Sequence, residues 1–380
     1  MKQTHVITCR PFYIPCLDGI RAVAFGLVFA AHSGLYWIPA GLGVSIFFFL
    51  SGYLITTILR IEYEKYGKID IKKFYPRRVL RIFPPLYITY TLILVLQMGF
   101  GFAPTEEIKV KAVLFQLFHL TNYYQVLFGE SGFPIGTSVL WSLAVEQHFY
   151  LIYTIFFTLL HGRMSRTQIS TLFLVICLVI LLWRFFLICG FNAEQSRVFS
   201  ATDTRIDSIL YGCLLAAWWN PIKGSSKPKH AITNRFLVTS IVFLLLLCFS
   251  LTLTQSRLRQ VFGFSLQGIA MIPLFFYLIK NNETIIAKWL ENRLIRFLGV
   301  ISYTLYLVHF SIILILRDTL KTNLLFLSIL AFIASLIWAI FMYYLVEKPV
   351  ARLRKRNRRI IADIQQYSPS FEREFCSVCT

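Results

Sequence analysis

Long apolar runs, separated by short polar and basic stretches, follow one another along most of this chain. Most of them are close to the roughly 20 residues that an α-helix needs to cross a bilayer. Runs such as Ile241–Leu247 and Ile312–Leu316 are continuously apolar, whereas the strands of a membrane β-barrel alternate. The pattern therefore predicts an all-α, polytopic transmembrane helix bundle of about ten helices. The predicted spans are 17–36, 43–60, 79–98, 139–160, 168–189, 204–219, 235–253, 261–280, 297–316 and 324–346.

The composition excludes a water-soluble protein. Of the 380 residues, 57% are hydrophobic and only 15% are charged, too few to cover the surface of a soluble domain of this length. The formal net charge of +20 would suggest a nucleic-acid partner in a soluble chain. In a membrane protein, basic residues collect in the cytoplasmic loops instead. We therefore expect the lipid bilayer, and no nucleic acid, as a partner.

The basic residues divide unequally between two sets of loops. One set includes the 60–81 linker, the 223–235 loop and the region from Lys348 onward, and it holds 28 of the 38 Lys and Arg, against seven in the opposite set. The positive-inside rule then predicts that both termini are cytoplasmic. The segment 109–128 is apolar but interrupted by polar residues, and we expect a re-entrant helix in the interface. If that segment crossed the bilayer, every later loop would change sides.

Two domains are expected: a transmembrane domain over residues 1–350 and a cytoplasmic tail over residues 351–380. The tail is basic and then polar, so we predict it to be solvated, in contact with lipid and largely disordered. The first apolar segment is predicted to be an uncleaved span, because Asp18 and Arg21 interrupt it early. No metal site is expected, because the terminal C-x-x-C has no second pair nearby and structural zinc needs about four ligands.

Three ionisable residues share one face of the first predicted helix. Asp18, Arg21 and His32 fall within about 60° of one another at roughly 100° per residue. Ionisable groups in a bilayer usually face a cavity or a partner, so each is a candidate functional residue. Asp18 and Arg21 could form a structural ion pair at the start of the helix. His32 could abstract a hydroxyl proton and return it, or it could be a hydrogen-bonded core histidine.

Three arginines and one glutamate are further candidates near the two membrane surfaces. Arg77, Arg78 and Arg81 end the linker before the third span, at the inner mouth. Arginine at this depth can be a topology anchor or a phosphate clamp, because its planar fork bonds two phosphate oxygens at once. Glu146 lies in the fourth span, about two turns inside the outer boundary and close to the level of His32.

The sixth and ninth spans also carry ionisable groups. Asp203, Arg205 and Asp207 lie at the outer end of the sixth span, where they could neutralise a helix N-terminus or bind sugar hydroxyls. His309 is predicted near the middle of the membrane in the ninth span. Gly52, in the aromatic second span, is interpreted as a packing residue that lets a neighbouring backbone approach.

Seven segments carry a resemblance to a known family. In chain order they are LDGIRAVAFGLVFAAH, FFFLSGYLIT, RRVLRIFPPL, WSLAVEQHFY, TDTRIDSILYG, SYTLYLVH and VEKP. In this order and spacing, over roughly residues 14–350, they resemble the acyltransferase-3 family of bacterial membrane O-acyltransferases. The resemblance implies a multi-pass protein of the bacterial cytoplasmic (inner) membrane. It would transfer an acyl group, usually acetyl from acetyl-CoA, to a hydroxyl of a cell-surface carbohydrate such as an O-antigen, an exopolysaccharide or a peptidoglycan sugar.

The resemblance also implies roles for individual residues. The family's Arg-x10-His motif falls on Arg21 and His32, with His32 in the catalytic role. The family's basic segment falls on Arg77, Arg78 and Arg81, which are expected to contact the phosphates of the donor. No permanently bound cofactor is expected, because the acyl-CoA is consumed as a donor substrate.

Two features depart from the family pattern. The family commonly reads Glu-Glu-Gln-Phe-Tyr in the fourth span, whereas here Gln147 replaces the second Glu and His148 replaces the Gln. Only Glu146 is therefore assigned a role, which is to orient the imidazole or the sugar. Some relatives carry a C-terminal extracytoplasmic esterase-like domain, whereas here we expect transfer to be completed within the membrane module.

We therefore predict an enzyme whose two substrates arrive from opposite faces. Acyl-CoA comes from the cytoplasmic side and the carbohydrate acceptor from the other, by direct transfer or by an acyl-enzyme relay. The alternative is a transporter or flippase of a lipid-linked sugar, but such a protein should have broken helices in matching halves, and the sequence shows no such duplication. The residues assigned to the acceptor are Asp18, Asp203, Arg205, Asp207 and His309.

Overall fold

The computed structural model consists of helices joined by loops. The residues that it describes are 14–100, 107–218, 238, 241, 257–280 and 284–353. Within these residues, eight helices are long and apolar enough to cross a membrane. The chain is therefore a multi-pass membrane protein, as the apolar pattern predicted.

We number the described α-helices in chain order. They are α1 (Pro15–His32), α2 (Ala40–Tyr66), α3 (Ile71–Phe100), α4 (Val110–Leu117), α5 (Thr121–Phe128), α6 (Trp141–His161), α7 (Arg166–Phe185), α8 (Gln195–Ser200), α9 (Thr202–Trp218), α10 (Arg257–Lys280), α11 (Ile285–Leu290), α12 (Arg293–Thr319) and α13 (Leu324–Met342). A 3-10 turn, Thr137–Leu140, precedes α6. π-helical turns follow α7 at Phe186–Gly190 and α13 at Tyr343–Glu347.

Nine of the ten predicted spans coincide with observed helices, and α9, with 17 residues, is the shortest of the nine. The remaining predicted span, 235–253, falls almost wholly outside the described residues. The tail from 354 onward, with the C-x-x-C at Cys376 and Cys379, also lies outside them. The total of ten spans and the cytoplasmic location of both termini therefore stay predictions.

Several observed helix ends differ from the ends of the predicted spans, and local sequence explains two of the differences. α1 ends at His32 rather than at 36, because Gly34 adopts a φ of 107° that turns the chain out of the helix. α3 begins at Ile71 rather than at 79, although Pro76 lies inside it. The lysines and arginines of this stretch lower its hydropathy, but they are good helix formers. The three arginines predicted in a linker therefore lie on a helix.

The segment 109–128 contains two helices rather than the single re-entrant helix that we expected. α4 and α5 have 8 residues each, so each is only about 12 Å long, too short to cross a bilayer. They are separated at His119, whose φ of 57° breaks the helical hydrogen-bond pattern. The location of this segment in the interface stays a prediction.

The first of two compact units comprises residues 1–61 and 160–302. In it α7, α9 and α10 pack against one another, and α1 packs against α11. Gly52 of α2 and Gly212 of α9 form a reciprocal contact, because a Cβ on Gly52 would clash with the Ile209 carbonyl and a Cβ on Gly212 with the Phe49 carbonyl. The prediction that Gly52 is a packing residue is confirmed.

The second unit comprises residues 62–159 and 303–380. Its described helices include α3 to α6, the C-terminal part of α12, and α13. Side-chain amides attach the loop before α6 to these helices: Gln97 accepts a hydrogen bond from the Ile135 N–H at 2.8 Å, and Gln116 donates to the Thr137 hydroxyl at 2.9 Å. These bonds hold an irregular backbone segment in a fixed conformation.

Candidate functional site

The residues of α1 keep the arrangement that the sequence predicted. The helix is unbroken from Pro15 to His32, so Asp18, Arg21 and His32 share one face, with His32 about 21 Å along the axis from Asp18. All three side chains are partly buried. Asp18 lies in the first turn, where a carboxylate interacts favourably with the helix dipole.

The start of α1 is fixed by close backbone packing. A Cβ on Gly19 would clash with the Leu290 carbonyl, and a Cβ on Gly299 would clash with the carbonyl of Asp18. These contacts hold the N-terminal turn of α1 against α11 and the start of α12. The backbone around Asp18 is therefore closely packed and fixed in place.

A buried ion pair in the first unit joins α7 to α9, and it was not predicted from the sequence. Arg184 and Asp207 are both 0% exposed and approach to 2.8 Å. Arg184 also donates to the Thr204 carbonyl at 2.7 Å, the Val261 carbonyl at 3.0 Å and the Ser265 hydroxyl at 2.6 Å. These bonds connect α7, α9 and α10. The contacts of Asp207 support a structural role, and acceptor binding by this carboxylate stays a prediction.

Arg205 is also enclosed in protein. It is 0% exposed, its guanidinium lies 3.6 Å from the centre of the Phe264 ring, and it donates to the Ser45 hydroxyl at 3.4 Å. The Ser45 hydroxyl in turn donates to Gln267 at 2.5 Å. This arrangement stabilises a cation by an aromatic face and hydrogen bonds rather than by solvent.

Asp203 has a separate set of partners at the start of α9. Its carboxylate binds both terminal nitrogens of Arg197, at 2.9 and 2.5 Å, and accepts from the Trp183 indole at 2.7 Å. The Asp203 side chain is 38% exposed. The sequence left open whether Asp203, Arg205 and Asp207 neutralise a helix N-terminus or bind sugar hydroxyls. The structure divides them into one accessible carboxylate and two enclosed charges.

The three arginines of α3 differ in their partners. Arg77 pairs with Glu62 at 3.2 Å, and the Arg78 guanidinium lies 5.5 Å from the Phe74 ring centre. Arg81 is exposed, and no described residue forms a hydrogen bond or ion pair with it. Arg81 is therefore the member of this set whose guanidinium is most available to a bound anion.

Glu146 belongs to a polar cluster inside the second unit. It accepts a hydrogen bond from the Tyr150 hydroxyl one turn later on α6. Tyr303 of α12 lies within electrostatic range of both Glu146 and Arg81, and its hydroxyl donates to the Ile82 carbonyl at 2.8 Å. Tyr303 therefore binds α3 through its hydroxyl and interacts with Glu146 of α6 only through its charge.

Glu347 is a second carboxylate in this cluster, and no role was predicted for it from the sequence. It accepts from the Thr304 hydroxyl at 2.5 Å and lies within electrostatic range of Tyr303. Its signal in the sequence was an ionisable residue at the end of the last span.

His309 is fully enclosed by protein. It is 0% exposed, and its Nδ1 lies 2.8 Å from the Tyr306 carbonyl, one turn earlier on α12. Tyr306 shares a hydrogen bond of 2.7 Å with Ser142. These contacts support a structural role for His309, and its acceptor role stays a prediction.

Comparisons with known proteins give one consistent result. A family model described as an acyltransferase domain matches residues 14–345. The chain is 30% identical over 377 residues to "O-acetyltransferase OatA" of Staphylococcus aureus strain MRSA252, covering 96% of this chain and 61% of that protein. It is 32% identical over 314 residues to "Putative O-acetyltransferase SACOL0978" of S. aureus strain COL, covering 79% of this chain and 51% of that protein. The chain thus spans about three fifths or less of these curated relatives, and no solved structure matches it.

Proposed function

This chain belongs to the acyltransferase-3 family, and on that premise we propose that it transfers an acetyl group from cytoplasmic acetyl-CoA to a hydroxyl of a cell-surface carbohydrate. The observation that carries the proposal is the family match over residues 14–345. The matched region includes Arg21 and His32 of α1 and the three arginines of α3. The names of the relatives support oxygen as the accepting atom and acetyl as the group.

His32 is proposed as the general base. It ends α1, where its partly buried imidazole can take the proton of an acceptor hydroxyl. The acceptor oxygen then bonds to the thioester carbonyl carbon, the carbon–sulfur bond breaks, and the imidazolium returns the proton to the leaving thiolate. Arg21, on the same face of α1, is proposed to position the reacting groups.

The function is tested by reconstitution. Purified protein in liposomes is supplied with acetyl-CoA carrying a labelled acetyl group and with surface polysaccharide from the producing cells. We expect an ester-linked label in the polysaccharide that mild alkali releases. Label that stays on acetyl-CoA, from a protein that is folded and correctly inserted, would contradict the proposal.

The donor's phosphates are proposed to bind at the α3 arginines, chiefly at Arg81. Substituting Arg81→Gln should raise the KM for acetyl-CoA about tenfold, because a charged hydrogen bond contributes roughly 1.5–3 kcal/mol. Arg77→Gln should have a smaller effect, because Arg77 is already paired with Glu62. The measurement is initial rate against donor concentration at saturating acceptor.

Lys72→Gln is the matched control for this prediction, because Lys72 is an exposed cation on the same helix. It should leave the donor KM unchanged. A donor KM that is also unchanged in Arg81→Gln, together with an altered membrane orientation, would favour the topology-anchor alternative for the arginines.

Sidedness can be measured independently of activity. The distribution of basic residues predicts that a reporter after Thr380 is cytoplasmic and that one inserted near Glu130 is extracytoplasmic. Fusions to alkaline phosphatase and to green fluorescent protein distinguish the extracytoplasmic from the cytoplasmic side of the membrane. An extracytoplasmic C-terminus would mean an additional span and would move the α6 and α9 carboxylates to the donor side.

A further inference from the structure

A cavity of about 520 Å³ lies wholly within the second unit, among the end of α3, the loop before α6 and the C-terminal end of α12. Its volume is in the range of small-molecule sites, roughly 300–1,000 Å³. None of the roles predicted from the sequence motifs involves this cavity. The lining residues on which the argument rests are Gln97, Glu130, Ser138, Phe310, Arg317 and Asp318.

The wall of the cavity is held in a defined conformation. Gly136 has a φ of 68°, and a Cβ there would clash with the backbone of Ser311, so the loop packs directly on α12. The Ile135 N–H is bound by Gln97, and the Ser131 carbonyl accepts from the Tyr124 hydroxyl at 3.1 Å. A loop anchored at these points presents its polar groups without a large ordering cost on binding.

The lining combines groups that suit a polyhydroxylated ligand. Glu130 and Asp318 can accept hydrogen bonds from hydroxyls, Arg317 can donate to hydroxyl oxygens, and the Ser138 hydroxyl can do either. Phe310 adds an apolar surface for the C–H face of a sugar ring. Bonds to charged groups are the stronger ones, so carboxylates and a guanidinium around one cavity can select a particular arrangement of hydroxyls.

The balance of charge disfavours the acyl donor as the occupant. The lining holds two carboxylates and one guanidinium, a formal charge of −1, and the Lys109 ammonium lies 3.5 Å from the Ser131 hydroxyl at its edge. The site therefore has no excess of positive charge with which to attract phosphate groups, which carry the negative charge of acetyl-CoA. A neutral or amino sugar fits this lining, whereas the exposed cation of Arg81 fits the donor.

We propose that this cavity binds the carbohydrate acceptor, as a subsite of the proposed O-acyltransferase function on which this inference rests. The loop that bears Glu130 belongs to the set predicted to be extracytoplasmic, the side from which a surface carbohydrate arrives. The glycan chain lies along the charged rim formed by Glu130, Arg317 and Asp318, with a sugar ring against Phe310.

The test uses the full-length protein in liposomes with acetyl-CoA and the surface polysaccharide fraction at varied mass concentration. Arg317→Gln and Asp318→Asn should each raise the half-saturating polysaccharide concentration about tenfold, with the donor KM and the maximal rate nearly unchanged. Ser138→Trp removes no charge but fills the cavity, and it should raise the same quantity. Lys321→Gln is the control, because Lys321 is an exposed cation four residues beyond Arg317 that does not line the cavity.

The possible results separate this inference from the proposed function. Acetyl transfer by the wild type with an unchanged half-saturating concentration in all three cavity variants would overturn the acceptor site and leave the enzyme assignment intact. An equal rise in Lys321→Gln would also overturn it, because a general charge effect would then explain the data. A wild type without any transfer would remove the proposed function, and the acceptor site with it.

Discussion

Replacement of His32 by alanine should reduce acetyl transfer by about 10²–10⁴-fold while the protein stays inserted. Alanine removes the proposed base without adding charge or breaking α1, whose other residues keep their helical hydrogen bonds. Without the imidazole, the acceptor hydroxyl keeps its proton during attack and is a much weaker nucleophile. The measurements are the ester-linked acetyl content of the polysaccharide and the initial rate in liposomes, at matched protein abundance.

His161→Ala is the control for this prediction. His161 ends α6 as His32 ends α1, and it is also partly buried, but no proposed step uses it. The control variant should keep near wild-type acetylation. Normal acetylation by His32→Ala, or an equal loss in both variants, would remove His32 from the catalytic role.

Replacement of Arg184 by leucine should destabilise the protein by about 3–5 kcal/mol, because it leaves the Asp207 carboxylate buried without its counter-ion. Both side chains are 0% exposed, so water cannot take the place of the guanidinium. The change also removes donors from the Thr204 and Val261 carbonyls. We expect a lower unfolding temperature in detergent and a lower abundance in the membrane.

The double variant Arg184→Leu with Asp207→Leu separates structure from function. Removing both charges should recover much of the stability, because an apolar pair carries no unpaired charge. Arg197→Gln, at the partly exposed pair with Asp203, should change stability by only about 0–1 kcal/mol. A stable, correctly inserted Arg184→Leu protein without activity would contradict the structural role and return Asp207 to the acceptor site.

The sequence by itself determined the membrane class and the nine longest of the described helices. Apolar runs of bilayer length are a local property, because every backbone group in a membrane span must find its hydrogen bond within its own helix. The same locality placed Asp18, Arg21 and His32 on one face of α1, since helix geometry fixes their angular spacing. The family was also readable from the chain, because its motifs are short and occur in a fixed order.

The hydropathy pattern gave wrong helix bounds in two places. The first turns of α3 were missed because their basic residues are not apolar. The break between α4 and α5 depends on one residue, His119, which has a positive φ. The lysines and arginines lower the hydropathy of the start of α3 although they favour a helix, and the backbone conformation of His119 leaves no mark on the hydropathy of its segment. The resulting errors were the start of α3 and the number of helices in the segment 109–128.

Only the tertiary structure decided which charges are enclosed and which are open. Arg184 binds Asp207 from 23 positions away and Ser265 from 81, and no local period encodes such pairs. The same holds for Gly52 against α9 and for the cavity near Arg317, where segments distant in sequence converge. Burial and partner choice depend on how helices pack in three dimensions, and that packing pairs Asp207 with Arg184 in the protein interior.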